Sequence, residues 1–243
     1  MPVPLPTTNP ASPDEIARVR QVYRGYAERG RGVREWAADH PGNRAMVDER
    51  TRVLAELLER SGRLPLGSRR VLDLGCGDGE VLAGLVRWGA MPGRLMGIDV
   101  RADAIARAHA RWPELRFDVA DATALPYRDA SFDLALCFTV FTSILDDRVA
   151  RQAASEVRRV LRPGGALVWY DFRIGNPWNP HVRGRSRRCL GELFPGWPGT
   201  LRLVTLLPPL ARRLHPLTPV LYPVLAALPP LRTHWAGLLE RPR

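Results

Sequence analysis

At 243 residues the chain is long enough for one α/β domain with a full core, and a second independent one is not expected. Its hydrophobic share of 45% is ordinary for a globular protein, but its net charge of +11 is not, and because the sequence holds no lysine all 36 basic residues are arginine. So complete a replacement of one cation by the other points to coding bias and weakens any single arginine as a sign of phosphate binding. No basic stretch interleaves with aromatics as a single-strand groove requires, so nucleic acid is not expected as a partner.

Cys76, Cys137 and Cys189 are widely spaced, with no C-x-x-C or metal-ligand pattern. No metal is expected, and buried thiols fit a reducing, cytoplasmic setting. Residues 1–13 are rich in proline and carry neither a basic residue nor an apolar core, so they are expected to be a disordered leader rather than a signal peptide. The remainder, 14–243, is expected to be a single domain.

Ile16, Val19, Val22, Tyr23 and Tyr26 form an apolar helical stripe over 14–29, which Gly30 and Gly32 close. Met46, Val47, Val53, Leu54, Leu57 and Leu58 predict the buried side of a second helix over 43–60, ended by Ser61-Gly62. Together they make an N-terminal helical segment, 14–62, ahead of the first strand.

Val71-Leu72-Asp73-Leu74 then runs into Gly75-Cys76-Gly77-Asp78-Gly79, followed by Val81, Leu82, Leu85 and Val86 at helical spacing. Strand, glycine turn and helix in that order make a nucleotide-type site at the carboxyl end of a parallel strand. In the dinucleotide fingerprint the glycines run G-x-G-x-x-G; here they run G-x-G-x-G, two residues after an acid. A carboxylate is out of place beside a pyrophosphate and useful beside an ammonium group. This stretch resembles motif I of the class I S-adenosylmethionine-dependent methyltransferases. The resemblance implies that the turn Gly75, Cys76, Gly77 and Gly79 passes under the methionine and ribose of the cofactor, with Asp73 before it. It also implies that the 14–62 segment caps the cofactor, with Tyr23 as a lid residue; a tyrosine on an amphipathic helix serves equally as half-buried packing.

Arg94 to Asp99 is a second strand ending in an acid 20 residues after Gly79, where Asp99, with Val100 beside it, can accept from ribose hydroxyls. A helix follows over 102–111. The third strand, 115–119, leads into Asp121-Ala122-Thr123-Ala124-Leu125-Pro126, similar to the family segment in which the acid contacts the adenine amino group and the next amide a ring nitrogen. Ser131 to Phe141 is a continuous apolar run, expected to be a central strand buried on both faces. It resembles the family's fourth strand, with Phe138 packing on the cofactor; Thr142 and Ser143 stand where relatives often carry histidines. A helix over 146–161 leads to Leu161-Arg162-Pro163-Gly164-Gly165 and a fifth strand to Tyr170. These five segments cover 71–170, the heart of a cofactor core expected over 68–170.

Residues 171–183 are polar and proline-rich, and loops at the carboxyl ends of strands build the site in open sheets. Asp171, Asn176, Asn179 and His181 are therefore expected at the acceptor pocket, with His181 and Asp171 as candidate general bases. Loop-stabilising hydrogen bonds are the plainer reading of the same residues. Arg183, Arg185, Arg187 and Arg188 read as a solvated loop and helix start. A short helix over 186–194 and a sixth strand over 201–207 precede a leucine- and proline-rich stretch. Its 18 residues from Leu214 to Leu231 contain five prolines, too many for a membrane helix, so a broken helical hairpin is expected between the last two strands. Core packing, a cover over an apolar acceptor, and peripheral membrane or lipid contact through 208–231 are its three readings, in that order. Arg232 to Arg241 is the seventh strand.

The expected architecture is a Rossmann-like, seven-stranded, mostly parallel sheet with an antiparallel last strand, helices on both faces and an N-terminal helical cap. The implied activity is methyl transfer from S-adenosylmethionine to a small-molecule acceptor, a sugar, glycan or secondary metabolite, chiefly at oxygen. A non-catalytic cofactor-binding module and a nicotinamide-dependent oxidoreductase are the competing readings; Asp73 and the glycine spacing disfavour the second.

Overall fold

The computed structural model describes residues 13–29, 39–176 and 179–243. The proline-rich leader up to residue 12 and the glycines expected to close the first helix lie outside the described residues. Two helices, α1 (Pro13–Glu28) and α2 (Pro41–Arg60), precede β1 (Val71–Leu74). The alternating core follows as α3 (Glu80–Gly84), β2 (Leu95–Asp99), α4 (Ala102–Arg111), β3 (Arg116–Val119), β4 (Phe132–Phe138), α5 (Asp147–Val160) and β5 (Leu161–Phe172). Then come α6 (Arg187–Leu193), β6 (Gly199–Leu206), α7 (Pro208–Arg213), α8 (Thr218–Ala226) and β7 (Arg232–Glu240).

One sheet holds all seven strands in the order β3-β2-β1-β4-β5-β7-β6, parallel from β3 through β5, with β7 antiparallel to both its neighbours. The chain therefore switches direction across the sheet between β1 and β4, which opens a crevice at their carboxyl ends. Successive residues of the central strands face opposite layers. Leu72, Leu74, Cys137 and Trp169 join a core with Val149, Ala153 and Val157 of α5 and with Phe194. Val71, Leu134, Leu136 and Val168 join another with Val53, Leu57 and Leu58 of α2 and Ile105 and Ala108 of α4.

Several boundaries depart from the sequence reading for local reasons. The helix after the glycine turn is short: it stops at Gly84 and tightens into a 3-10 turn over Leu85–Trp88, which leaves Val86 outside. β4 ends at Phe138 rather than Phe141, because Thr139 adopts φ +57 and breaks the strand before a 3-10 turn over Phe141–Ser143. Within the expected buried side of α2, Val47 points outward. The positions actually turned inward beside Met46 and Val53 include Glu49, which is buried.

Glu49 is held because three donors converge on it: Arg232 Nη1 at 2.7 Å, the Tyr222 hydroxyl at 2.8 Å and the Thr205 amide at 2.8 Å. It links α2 to β6, β7 and the hairpin α7–α8, which has its own small core of Met46, Leu206, Ala211, Leu214, Tyr222 and Ala226. One side of the hairpin is thus core, and the other is open: Leu217, Val220, Val224 and Leu228 are each at least half exposed. Among the described residues no helix is long and apolar enough to cross a membrane.

Replacing Glu49 by Ala leaves the guanidinium of Arg232 and the Tyr222 hydroxyl without their acceptor. Chemical denaturation of Glu49→Ala is expected to show a loss of about 3 kcal/mol, with Glu49→Gln losing less.

Candidate functional site

The crevice at the β1/β4 switch is a cavity of about 220 Å³. Its floor is Gly75, Ile98, Asp99 and Val100; one wall is Ala120 to Thr123, the other Phe138 to Val140. Ile16, Val19 and Tyr23 of α1 close it from above. Gly75 has φ +67, and a Cβ there would come within 2.8 Å of Val140 Cγ2, so the turn stays open to the cavity only as glycine.

Asp99 is buried at the end of β2 and organises the turn. Its carboxylate accepts from the Gly77 amide at 3.0 Å and from the Arg101 amide at 2.9 Å, and it pairs with the Arg101 guanidinium at 3.1 Å. Arg101 in turn lies 4.6 Å from the centre of the Tyr23 ring, and the Tyr23 hydroxyl is 3.0 Å from Ser143 Oγ. α1 is fastened to the sheet by further contacts on both sides of the cavity. Arg20 Nε donates to the Val100 carbonyl at 3.0 Å, Arg18 donates to the Ser143 carbonyl, and the Leu145 amide donates to Glu15. α2, by contrast, packs along β6 and β7 and against α7 and α8. Of the two N-terminal helices, α1 is the one that lines the cavity.

Asp121 lies in the opposite wall, where it accepts from the Thr123 amide at 2.8 Å and hydroxyl at 2.7 Å, leaving Ala122 beside the cavity. Tyr23, Gly75, Asp99, Val100, Asp121, Ala122 and Phe138 are thus brought together on one cavity. Cys76, Gly77 and Gly79 are not part of its lining. The Cys76 side chain turns into the core against Gly97, where a Cβ would come within 2.9 Å of its sulfur. Gly79, at φ +81, is covered by Phe117, whose Cζ would lie 2.6 Å from a Cβ there. Their glycines serve the packing of the turn; Gly77 reaches the site through its amide.

Asp73 lies behind the turn, at 2% exposure, and its Oδ2 has no hydrogen-bond partner. Burial, with the nearby negative charge of Asp99, pushes its pKa up to about 8, while Arg50 opposes the shift. An orphaned buried carboxylate next to an open glycine turn fits a ligand that brings a donor or a positive charge.

The two catalytic candidates do not reach the cavity. Asp171 is wholly buried, and its oxygens accept from the Thr142 and Phe172 amides, each at 2.9 Å; burial pushes its pKa up to about 7. It braces the loop after β4, so the expectation of a base there is corrected. His181 is exposed on its loop, where its amide donates to Asn179 Oδ1 at 3.1 Å, and it too falls outside the cavity lining. Asn179 exchanges hydrogen bonds with the Tyr26 hydroxyl and so ties this loop to α1. Nor is Arg185 a solvated arginine. It is 1% exposed and donates to the carbonyls of Phe141 and Ile144 while pairing with Asp147.

Sequence reasoning missed Arg101 and Arg50. Arg101 could not stand out among 36 arginines. Arg50 carried a signal: Glu49 and Arg50 occupy apolar-stripe positions between Met46 and Val53. Its guanidinium lies 5.3 Å from the ring centres of both Phe138 and Tyr170.

Residues 71–165 match the model of a methyltransferase domain family. Over those residues the chain is similar in sequence to methyltransferase domains. The 27-O-demethylrifamycin SV methyltransferase of Amycolatopsis mediterranei is 38% identical over 138 residues, which are 54% of this chain and 48% of that protein. The demethylmenaquinone methyltransferase of Beutenbergia cavernae is 37% identical over 118 residues, 47% of this chain and 46% of that protein. The chain spans about half the length of these two curated relatives. Among solved structures, the 1,6-didemethyltoxoflavin-N1-methyltransferase of Burkholderia thailandensis, with bound 1,6-didemethyltoxoflavin and S-adenosylhomocysteine, aligns over 100% of this chain and 94% of its own. The TM-score is 0.64 at 20% identity. The [4+2]-cyclase SpnF aligns over 79% of this chain and 81% of its own, with a TM-score of 0.59 at 23% identity. Both share the fold: a seven-stranded Rossmann-like sheet with its antiparallel last strand.

The raised pKa of Asp73 makes a stability prediction. Between the ordinary value of 3.8 and about 8 the native state keeps a proton that the unfolded chain releases, so wild-type stability falls as pH rises through that window. Asp73→Asn removes this contribution. Denaturant titrations across the window are expected to show the wild type losing stability relative to Asp73→Asn by up to about 1.4 kcal/mol per pH unit; parallel profiles would contradict it.

Proposed function

We propose that this chain transfers a methyl group from S-adenosylmethionine to a small-molecule acceptor, at a hydroxyl oxygen of a sugar, glycan or secondary metabolite. The observation that carries the reading is a single cavity with Asp99 and Asp121 on its two sides and an open glycine turn between them. In this reading Asp99 accepts from the ribose hydroxyls, Asp121 and the Ala122 amide meet the adenine edge, and Phe138 and Val140 pack near the reacting centre. Tyr23 closes over the nucleoside. The name of the rifamycin relative supports an oxygen acceptor on a natural product, and the menaquinone relative supports a small apolar one.

When bound, the cofactor supplies a methyl group already activated on a sulfonium. The chain's own task is then to hold the acceptor in line and keep water out, which supplies much of the rate. α1, latched at Ser143, Leu145 and Val100, is placed to exclude water. The titratable groups lining the cavity are Glu15, Tyr23, Asp99, Arg101 and Asp121. Each already has a hydrogen-bond or ion-pair partner in the chain. Alignment therefore carries more of the catalysis here than a resident base.

A second reading, cofactor binding without methyl transfer, is favoured by one observation: a protein named as a cyclase shares this fold. Mass spectrometry of a pool of hydroxyl, amine and lipid acceptors incubated with the protein and S-adenosylmethionine separates the two. Transfer predicts one acceptor gaining a methyl with stoichiometric S-adenosylhomocysteine; binding alone predicts neither.

For the ribose role, Asp99→Asn keeps the side-chain shape and removes the charge. Its affinity for S-adenosylhomocysteine in calorimetry is expected to drop by about tenfold or more, and an unchanged affinity would refute the assignment.

A further inference from the structure

α8 reverses the pattern of a water-facing helix. Its polar side chains, Thr218 and Tyr222, point inward at 3% and 6% exposure, and the Tyr222 hydroxyl is committed to Glu49. Leu217, Val220, Val224 and Leu228, spaced three and four residues apart along α8 and its ends, form one row on the opposite face, each at least half exposed. Pro219 and Pro223 border the row and are exposed as well. From Leu214 to Leu231 the chain has no Asp, Glu or Arg. Single exposed apolar residues are ordinary on a protein surface; a continuous row without a charge is not.

The charges that flank the row are of one sign. From Leu193 to Leu239 the chain has no acidic residue, in a protein of net charge +11. Arg213, at the end of α7, is exposed and, among the described residues, in no ion pair. At the far end of the hairpin Arg173 donates to the carbonyls of Pro229 and Pro230 at 3.3 and 3.4 Å and to that of Arg232 at 2.6 Å. No carboxylate among the described residues pairs with it. An aliphatic row is thus bracketed by two cations. Its place in the fold is equally specific. β6 runs parallel to β5, since both are antiparallel to β7, so the hairpin between Leu206 and Arg232 stands at the carboxyl end of the parallel strands, the end that holds the crevice.

We infer that the outer face of α8 docks on an anionic lipid bilayer, the aliphatic row entering the apolar boundary below the headgroups while Arg213 and Arg173 meet lipid phosphates. Burial of apolar area and attraction of cations to anionic lipid add in such a contact. A shaped protein partner is the poorer fit. The centre of a protein interface draws on aromatic side chains, Met and Arg, whereas this row has only Leu and Val, bordered by prolines that lack a backbone N–H. A fluid apolar phase asks for no such complementarity. At nine residues α8 is far short of a span, so the contact is peripheral. The end of the sheet brought to the membrane is the end with the crevice.

Vesicle flotation tests this. The wild type is expected to float with vesicles of equal parts phosphatidylglycerol and phosphatidylcholine, and several-fold less with phosphatidylcholine alone or in high salt. Val220→Ser combined with Val224→Ser should bind the mixed vesicles about tenfold or more weakly, with thermal unfolding unchanged because both side chains are exposed. Arg213→Gln, also on the surface, should lose about fivefold, and only on the anionic vesicles. Wild-type protein that floats with neither vesicle overturns the inference, and so does equal binding by the wild type and the valine double variant. Self-association of the wild type in sedimentation velocity that the double variant loses, without vesicle binding, gives the face to a second copy and overturns it equally. Lipid binding does not require the methyl donor, so failure here leaves the methyl-transfer reading standing.

Discussion

The carboxylate of Asp99 is the point at which the separate pieces of the site are joined. It draws the Gly77 amide from the turn after β1, holds the start of the segment after β2 through the Arg101 amide, and fixes the Arg101 side chain. Arg101 then supports Tyr23 from below, and Tyr23 reaches Ser143 beyond the end of β4. Four segments distant in sequence thereby share one charged group. A buried carboxylate is tolerated there because backbone amides and a guanidinium surround it. A nucleoside that binds Asp99 through its ribose must share that carboxylate with Arg101. Arg101 would then stand between such a ligand and Tyr23 of α1.

The opposite half of the molecule depends on a different carboxylate. Glu49 sits where the apolar stripe of α2 calls for a leucine, and it gathers Arg232, Tyr222 and Thr205 from β7, α8 and β6. The hairpin between β6 and β7 is thus anchored on a polar knot, with a small apolar core around it. Because β6 and β7 lie at one edge of the sheet, the hairpin extends that edge without entering the cofactor cavity. Its outer face keeps Leu217, Val220, Val224 and Leu228 exposed, and these residues have no part in holding the fold. Core packing accounts for the inner residues of the hairpin alone.

How much of this was legible in the sequence follows from where each signal arises. The strand and helix order of the cofactor half was readable because parallel strands buried on both faces are continuous apolar runs, and because a glycine turn, an acid after β2 and an acid after β3 recur at strand ends. The helix over Ala102–Arg111 was placed to the residue. What failed was anything set by partners from elsewhere in the chain. Asp171 looked like a loop acid available for chemistry, but the Thr142 amide, 29 residues earlier, claims it. Arg185 looked like one of a solvated cluster, yet it is nearly inaccessible because three carbonyl or carboxylate groups around the loop after β4 converge on it. Cys76 was grouped with the turn that holds the cofactor, and Gly97 opened a place for its sulfur in the core instead. Glu49 and Arg50 offered a visible anomaly, charges on an apolar stripe, that composition alone could not interpret.

These misplacements bear on how the site can act. With Asp171 committed to backbone amides and His181 outside the cavity lining, the loop after β5 meets the site only through α1, where Asn179 bonds the Tyr26 hydroxyl. The hydroxyls near the end of β4 are committed as well: Thr139 donates to the Phe138 carbonyl at 2.7 Å and Ser143 to the Thr139 carbonyl at 3.1 Å. A wall whose polar groups are satisfied internally offers an acceptor shape and dryness more than proton transfer. In the proposed transfer, orientation of the acceptor can supply several kcal/mol of the barrier reduction, on the order of 7–11 in the best intramolecular cases, and the proton of a hydroxyl acceptor passes to water as the carbon–oxygen bond forms and the carbon–sulfur bond breaks. The same argument makes α1 the decisive element. It contributes the apolar ceiling of Ile16, Val19 and Tyr23, and it is fastened by polar contacts at both sides of the crevice. Phe138, in the wall facing this ceiling, is in turn fixed by packing on Tyr170 at 5.6 Å and by Arg50 behind it.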